Sequence, residues 1–377
     1  MHPKRNSMSD KTRLAQFDLI KTIAIIFVCC CHWPMGYPMS VPKELSFDAL
    51  WSPFLIGIES SCIPLFFMAS GALMLNHPVD PQKNIKRLTH LFFQFMIWSA
   101  ITIVSLRLMI PDKDAPTLSS FRWILAVLFN YDHGLYTIHL WFMPVFLGVT
   151  FIAPFLQSFF FSDEKGRDIY LYFSLILLYI LYIFNYDIQV LQSGGHLVSS
   201  YTPDIAWQLY YLPFARIPGA MVFYFILGGL LHRKREHIAK LPFILPVLTL
   251  ILGMSLLCAE WAAYTMGKGL VWNNVGLAYY TTPTVIISVS VFILAGKITS
   301  LSSYHNTHFV KKMIGMIGAN TIGIYYIHYI IGSLFSAYIL PGIDISYYSP
   351  LTNLVKALIL VIISLLIYLP IKKIPVL

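Results

Sequence analysis

Stretches of roughly 18 to 24 mostly apolar residues recur along the whole chain, each long enough as a helix to cross about 30 Å of hydrocarbon. They lie near residues 17–33, 53–75, 88–110, 138–161, 169–185, 212–231, 242–264, 276–295, 314–340 and 354–369. With 57% hydrophobic and 11% charged residues among 377, the chain has too little polar surface to cover a soluble core of that size. The sequence therefore predicts an all-α, polytopic membrane bundle of about ten transmembrane helices, and any chemistry has to sit among them. One membrane domain over residues 1–377 is expected, with residues 1–16 as a short cytoplasmic leader.

Loop charge tests this map independently, because short cytoplasmic loops are rich in Lys and Arg. One set of connections carries Lys4, Arg5, Lys11 and Arg13, then Lys83, Lys86 and Arg87, Lys165 and Arg167, Arg233 to Lys240, Lys297, Lys311 and Lys312, and Lys372 with Lys373. The alternate set has only Lys43, Arg107, Lys113, Arg122 and Lys268. An error of one span would scramble that alternation, so both termini are predicted to be cytoplasmic. Two connections on the outer side, 111–137 and 186–211, are long enough to shape a mouth. In the first, the spacing of Phe121, Ile124, Leu125 and Leu128 fits a short helix, lying either on the membrane surface or against the bundle.

The formal charge of +9 is spread over short loops and gathered on no single face or arm, so no nucleic-acid partner is expected. Cys29, Cys30, Cys31, Cys62 and Cys258 all fall in apolar stretches. They predict neither a disulfide framework nor a metal site.

Ionisable residues inside a membrane are costly and are candidates for function. Asp18, Lys21 and His32 project within about 60° of one another on the first helix, and Lys21 and His32 are separated by a rise of about 16 Å. A neutral imidazole near mid-membrane can exchange a proton near pH 7. The plainer reading pairs Lys21 with Asp18 at the interface and bonds His32 to a backbone carbonyl. Glu59 needs a partner in the second span, and Arg216 stands at a similar outer level. Ser70 and Gly71 serve either close helix packing or a site. His139 and Trp141 begin the fourth span, as an aromatic belt or as a sugar-stacking surface. Tyr325 and His328 lie one turn apart in the ninth span, as cavity-lining groups or satisfied core residues.

Several segments resemble the membrane acyltransferase family known as acyltransferase-3. The first is RLAQFDLIKTIAIIFVCCCH, Arg13 to His32, where a basic residue and a histidine with ten residues between them mark that family's active centre; here they are Lys21 and His32. IPLFFMASGALML at Ile63 to Leu75, IKRLTHLF at Ile85 to Phe92, HLWFMPVFLG at His139 to Gly148 and TIGIYYIHYII at Thr321 to Ile331 follow in order, with a weaker match at YFILGGLL, Tyr224 to Leu231. The chain looks closest to stand-alone members that acetylate envelope polysaccharides, particularly the enterobacterial common antigen type.

The resemblance implies an O-acyltransferase in the cytoplasmic (inner) membrane of a bacterium. It would move an acyl group from cytoplasmic acyl-CoA, with acetyl-CoA expected as donor, to a sugar hydroxyl of an envelope glycan or its lipid-linked precursor. No permanently bound cofactor is expected. His32 is implied as the general base, with Lys21 and Asp18 beside it. Arg13, Lys83, Lys86, Arg87 and His90 are implied for acyl-CoA, although family members usually carry a second arginine where His90 stands. Positive-inside charge alone also accounts for that cluster. The competing function is a secondary transporter or glycan flippase with an Asp/His proton relay, and a homo-oligomer is compatible with either.

Overall fold

A computed structural model describes residues 7–32, 54–55, 57–78, 80–109, 138–161, 166–184, 187–188, 216–265, 279–301, 304, 307–339 and 350–374, without the side chains at 7–14, 107, 138, 161, 216–217 and 261–265. The long connections expected to shape the mouth, including the expected surface helix at 119–129, lie outside the described residues apart from 187–188.

Among the described residues the chain is helical, with no strand. The helices are α1 (Ser7–Cys31), α2 (Cys62–Met74), α3 (Pro81–Met109), α4 (Phe142–Phe161), α5 (Arg167–Leu178), α6 (Arg216–Arg233), α7 (Arg235–Ala239), α8 (Ile244–Thr265), α9 (Thr282–Ser300), α10 (His308–Ala319), α11 (Thr321–Leu334) and α12 (Pro350–Ile371). Single 3-10 turns at Gly57–Ser61 and Ile138–Trp141 lead into α2 and α4, and wider π turns at Tyr179–Phe184 and Phe335–Ile339 extend α5 and α11. Seven of these segments are long and apolar enough to cross a membrane. The remaining expected spans, 17–33, 212–231 and 242–264, coincide with α1, α6 and α8.

The ninth expected span departs from the structure. The apolar run 314–340 is broken at Asn320, which turns the chain between α10 and α11, so the candidate span is Thr321–Ile339. Asn320 is held there by its side-chain amide, which donates to the carbonyl of Met316, and by Lys372, which donates to its amide oxygen at 3.0 Å. A side chain that competes for backbone groups in this way favours a helix end over a helix interior.

The bundle buries its polar span residues among an apolar core and turns apolar faces outward. On α12 the buried residues Asn353, Lys356, Ala357, Leu360, Ser364 and Leu365 recur at helical spacing, while Leu351, Leu354, Val355, Leu358, Ile362 and Leu366 face outward. Helix α5 likewise exposes Ile169, Tyr170, Phe173 and Ile176. An exposed apolar face of that extent suits hydrocarbon and not water.

The basic helix ends adjoin one another, as the loop-charge pattern requires. Asp168 at the start of α5 bridges Arg233 at 3.6 Å and Lys234 at 3.4 Å. Arg233 also donates to the carbonyl of Phe160, and Lys297 at the end of α9 donates to the carbonyls of Ala239 and Leu241. These contacts form the basic end of the bundle.

Helices α2 and α6 form the closest pair. A Cβ on Gly71 would fall inside the backbone of Phe225, and one on Gly228 inside the backbone of Met68. Such reciprocal small residues let two helices meet backbone to backbone, where lipid supplies no hydrophobic drive. Gly71→Val is therefore expected to destabilise the protein by about 1–3 kcal/mol or more through overpacking. Gly148→Ala, where the added methyl meets open space, is expected to be neutral. Thermal unfolding of both variants in detergent, followed by size-exclusion chromatography, checks the difference.

Candidate active site

The first helix carries two of the expected residues at one level and the third near its far end. Asp18 and Lys21 are an ion pair at 3.5 Å, each about one-quarter exposed. Gly318 of α10 packs directly on the backbone of Asp18, since a Cβ there would approach its Cα to 2.6 Å. Eleven residues further along, at a rise of about 16 Å, His32 follows the last residue of α1.

Between these two levels the bundle is hollow. A cavity of about 400 Å³ is lined by Lys21, Ser70, Arg87, His90 and Tyr325, contributed by α1, α2, α3 and α11, together with Gln94, Phe146 and Tyr368. Five expected residues drawn from four separate segments thus share one chamber. A wider cavity of about 890 Å³ opens beside it toward the basic end, lined by His77, Asp80, Lys83, Asn84, Arg87 and Gln157. Leu73 and Arg87 line both. Lys86 is exposed on α3 and lines neither. The side chains of Arg13 and Arg216 lie outside the described residues.

Above the inner chamber sits a cluster of three histidines. The ring of His32 lies 5.3 Å from that of His328 and 6.4 Å from that of His139, and the rings of His139 and His328 are 5.8 Å apart. Tyr329 stacks face to face on His139 at 4.0 Å and meets His32 edge-on at 5.5 Å. The Tyr325 hydroxyl donates to the carbonyl of His139, and the ring nitrogen Nδ1 of His328 lies 2.6 Å from the carbonyl of Tyr325. A carbonyl accepts, so this contact places the proton of His328 on Nδ1 and leaves Nε2 as an acceptor. Tyr325 therefore touches the histidines while lining the chamber beneath them.

His139 is 1% exposed and His328 is fully buried. Both ring nitrogens of His139, and Nε2 of His328, have no hydrogen-bond partner among the described residues. Buried polar atoms left in that state are uncommon and costly, and a catalytic role is one explanation for them. His328 is thus only half satisfied among the described residues. Trp141 packs on Tyr279 at 5.8 Å and is half-buried, which makes it part of the bundle wall.

Of the expected pairing of Glu59 with Arg216, only the Glu59 side lies within the described side chains. Glu59 is 6% exposed and accepts from the side-chain amide of Asn353 at 3.4 Å. Lys356, one turn further along α12, is 4% exposed and donates to the carbonyl of His32 at 2.8 Å. Neither Asn353 nor Lys356 was singled out from sequence. The signal was present, because Lys356 is an ionisable residue inside the run 354–369, the same criterion that flagged Glu59.

An acyltransferase domain model matches residues 14–372, almost the whole chain. The chain belongs to the acyltransferase-3 family. Comparison with curated proteins and with solved structures finds no match. As an acyltransferase-3 protein it is a membrane acyltransferase, and the motif residues Lys21, Ser70, Arg87, His139 and Tyr325 converge on the chamber and on the histidine cluster that closes it. Outside the spans, Asp187 anchors the start of α9 by accepting from the backbone N–H of Thr282 and from its hydroxyl. Burial raises the Asp187 carboxyl from its ordinary value, against the lowering effect of those bonds.

The unpartnered nitrogens of His139 carry a stability prediction. His139→Phe keeps a ring to stack on Tyr329 and removes two buried polar atoms, each costing about 1–3 kcal/mol when unsatisfied. Its thermal midpoint in nanodiscs is expected to equal or exceed that of the wild type. A lower midpoint would show that His139 has a stabilising structural partner.

Proposed function

We propose that this acyltransferase moves an acyl group, with acetyl expected, from cytoplasmic acyl-CoA to a sugar hydroxyl of an envelope glycan or its lipid-linked precursor, in the inner membrane of a bacterium. The observation that carries this reading is the continuity of the site. A cavity facing the basic end leads through Arg87 to a chamber containing Lys21 and Ser70, and Tyr325 joins that chamber to His32, His139 and His328.

In this reading the phosphates of the donor rest among Lys83, Arg87 and His90, where a basic, partly apolar cavity favours charge-assisted hydrogen bonds. The pantetheine arm occupies the inner chamber and presents the thioester to the histidines. His32 acts as general base. Its imidazole takes the proton of the acceptor hydroxyl as that oxygen bonds to the thioester carbonyl carbon. Negative charge then develops on the carbonyl oxygen, and His139, buried and neutral with an N–H to donate, is placed to stabilise it. Collapse of the tetrahedral intermediate breaks the C–S bond. The proton held by His32 passes to the departing sulfur, so CoA leaves as the thiol and the ester remains on the sugar.

The decisive experiment follows label from radiolabelled acetyl-CoA into envelope glycan, using membranes that contain equal amounts of wild type and variants. His32→Ala is expected to lower transfer at least 100-fold, since general-base catalysis contributes about 10²–10⁴. His139→Phe is expected to fall by about 10²–10³, the cost of one lost oxyanion donor. Undiminished transfer by His32→Ala would reject His32 as the base. In nanodiscs, Arg87→Ala should weaken acetyl-CoA binding about tenfold, the value of one charge-assisted bond. Lys86→Ala, which lines neither cavity, should change it less than twofold.

A further inference from the structure

The acyl-transfer reading leaves one buried cluster unused. Lys356, Asn353 and Glu59 all lie on the histidine side of the bundle, and all are more than nine-tenths buried. Burying an ammonium, a carboxylate and an amide inside a membrane bundle is expensive. What they touch accounts for their presence.

The last carbonyls of any α-helix lack intrahelical partners. In α1 those carbonyls belong to the turn that ends at His32, and inside a bilayer no bulk water is at hand to satisfy them. Helix α12 does so instead. Lys356 Nζ donates to the carbonyl of His32 at 2.8 Å, and Asn353 Nδ2 donates to the carbonyl of Cys30 at 3.2 Å. The same amide nitrogen lies 3.4 Å from Glu59 Oε1, and Glu59 is close enough to act electrostatically on Lys356. Glu59 is in turn tied to α1, because the Cys31 thiol donates to its backbone carbonyl at 3.9 Å. A cation at a helix C-terminus is also favoured by the helix dipole.

We propose that Lys356 is a positioning residue for His32. With Asn353 it caps the end of α1 from α12, fixes the backbone of His32 and so aims the imidazole, while Glu59 balances its charge. The proposal rests on the acyl-transfer reading for its kinetic consequence only. The cap itself is a physical property of the resting protein.

A lysine that merely filled space would tolerate an apolar side chain of like length. A lysine that caps α1 would not, and an arginine, which also donates and stays charged, would replace it in part. The test uses the full chain in nanodiscs with acetyl-CoA as donor and envelope glycan as acceptor. Lys356→Met is expected to lower kcat about 10- to 100-fold, in line with the cost of a misplaced catalytic group. KM for acetyl-CoA should stay within twofold, because the donor cavities do not include Lys356. Lys356→Arg is expected to recover at least one-third of wild-type kcat. Hydrogen exchange of the backbone amides at Val28 to His32 should quicken at least tenfold in Lys356→Met and not in Lys356→Arg.

Lys356→Met leaves the Glu59 carboxylate without its counter-charge. If that variant fails to fold, the double variant Lys356→Met/Glu59→Gln removes both charges and is expected to show the same loss of kcat and the same faster exchange. Wild-type exchange at Val28 to His32 in the folded methionine variant, single or double, would overturn the cap, whatever the activity. Faster exchange with undiminished kcat would overturn the positioning role. A wild type that transfers no acetyl group would instead overturn the acetyl-transfer reading, and the exchange result would still decide the cap.

Discussion

Inside a bilayer a polar group has no solvent to fall back on, and that constraint organises this molecule. Apolar residues are cheap everywhere in such a bundle and carry little positional information. The polar ones are expensive, and each that is kept has to be answered by another. Asn320 is answered by Met316 and Lys372, Asp168 by Arg233 and Lys234, and the end of α1 by Asn353 and Lys356. The architecture is a set of such settlements joined by lipid-facing helices. His139 and His328 stand out because their ring nitrogens without a partner among the described residues lie together in one cluster.

The spans were legible because hydropathy and loop charge report the same physical fact from two sides. Residues that cross hydrocarbon are apolar, and residues that stay on the basic side are not translocated. The break at Asn320 was not legible by that route. The run from Ile314 to Leu340 is apolar on average, and a turn within it changes no average; only Gly318 and Asn320 hint at a helix end. The close α2–α6 contact was half-visible, since Gly71 marked one side of it and the complementary Gly228 was not weighed. Its partner emerges only when the two backbones are brought together.

The site was legible residue by residue and not as a constellation. Lys21, Ser70, Arg87, His90 and Tyr325 come from four segments spread over three hundred residues, and no spacing rule predicts that they share a chamber. Intramembrane polarity and family resemblance together supply the list, and the fold supplies the adjacency. Depth along a span fixes only one coordinate of three, so a shared outer level does not by itself name the neighbours of Glu59. Asn353, on the inward face of α12, is the side chain that reaches the Glu59 carboxylate.

Tyr325 gives the proposed reaction its direction. Its ring lines the chamber below and lies 5.8 Å from His139 and from His328 above, while its hydroxyl is spent on the carbonyl of His139. A side chain so anchored is a fixed partition between the basic cavities and the histidines. A donor held from below by phosphate contacts has only to extend its thioester to that level, and an acceptor arriving from the other side has only to reach the same level. In the proposed reaction the acyl group would be the one part of the donor to pass the tyrosine. The nucleotide would stay at the basic end, and the cost of moving phosphates through hydrocarbon would not arise.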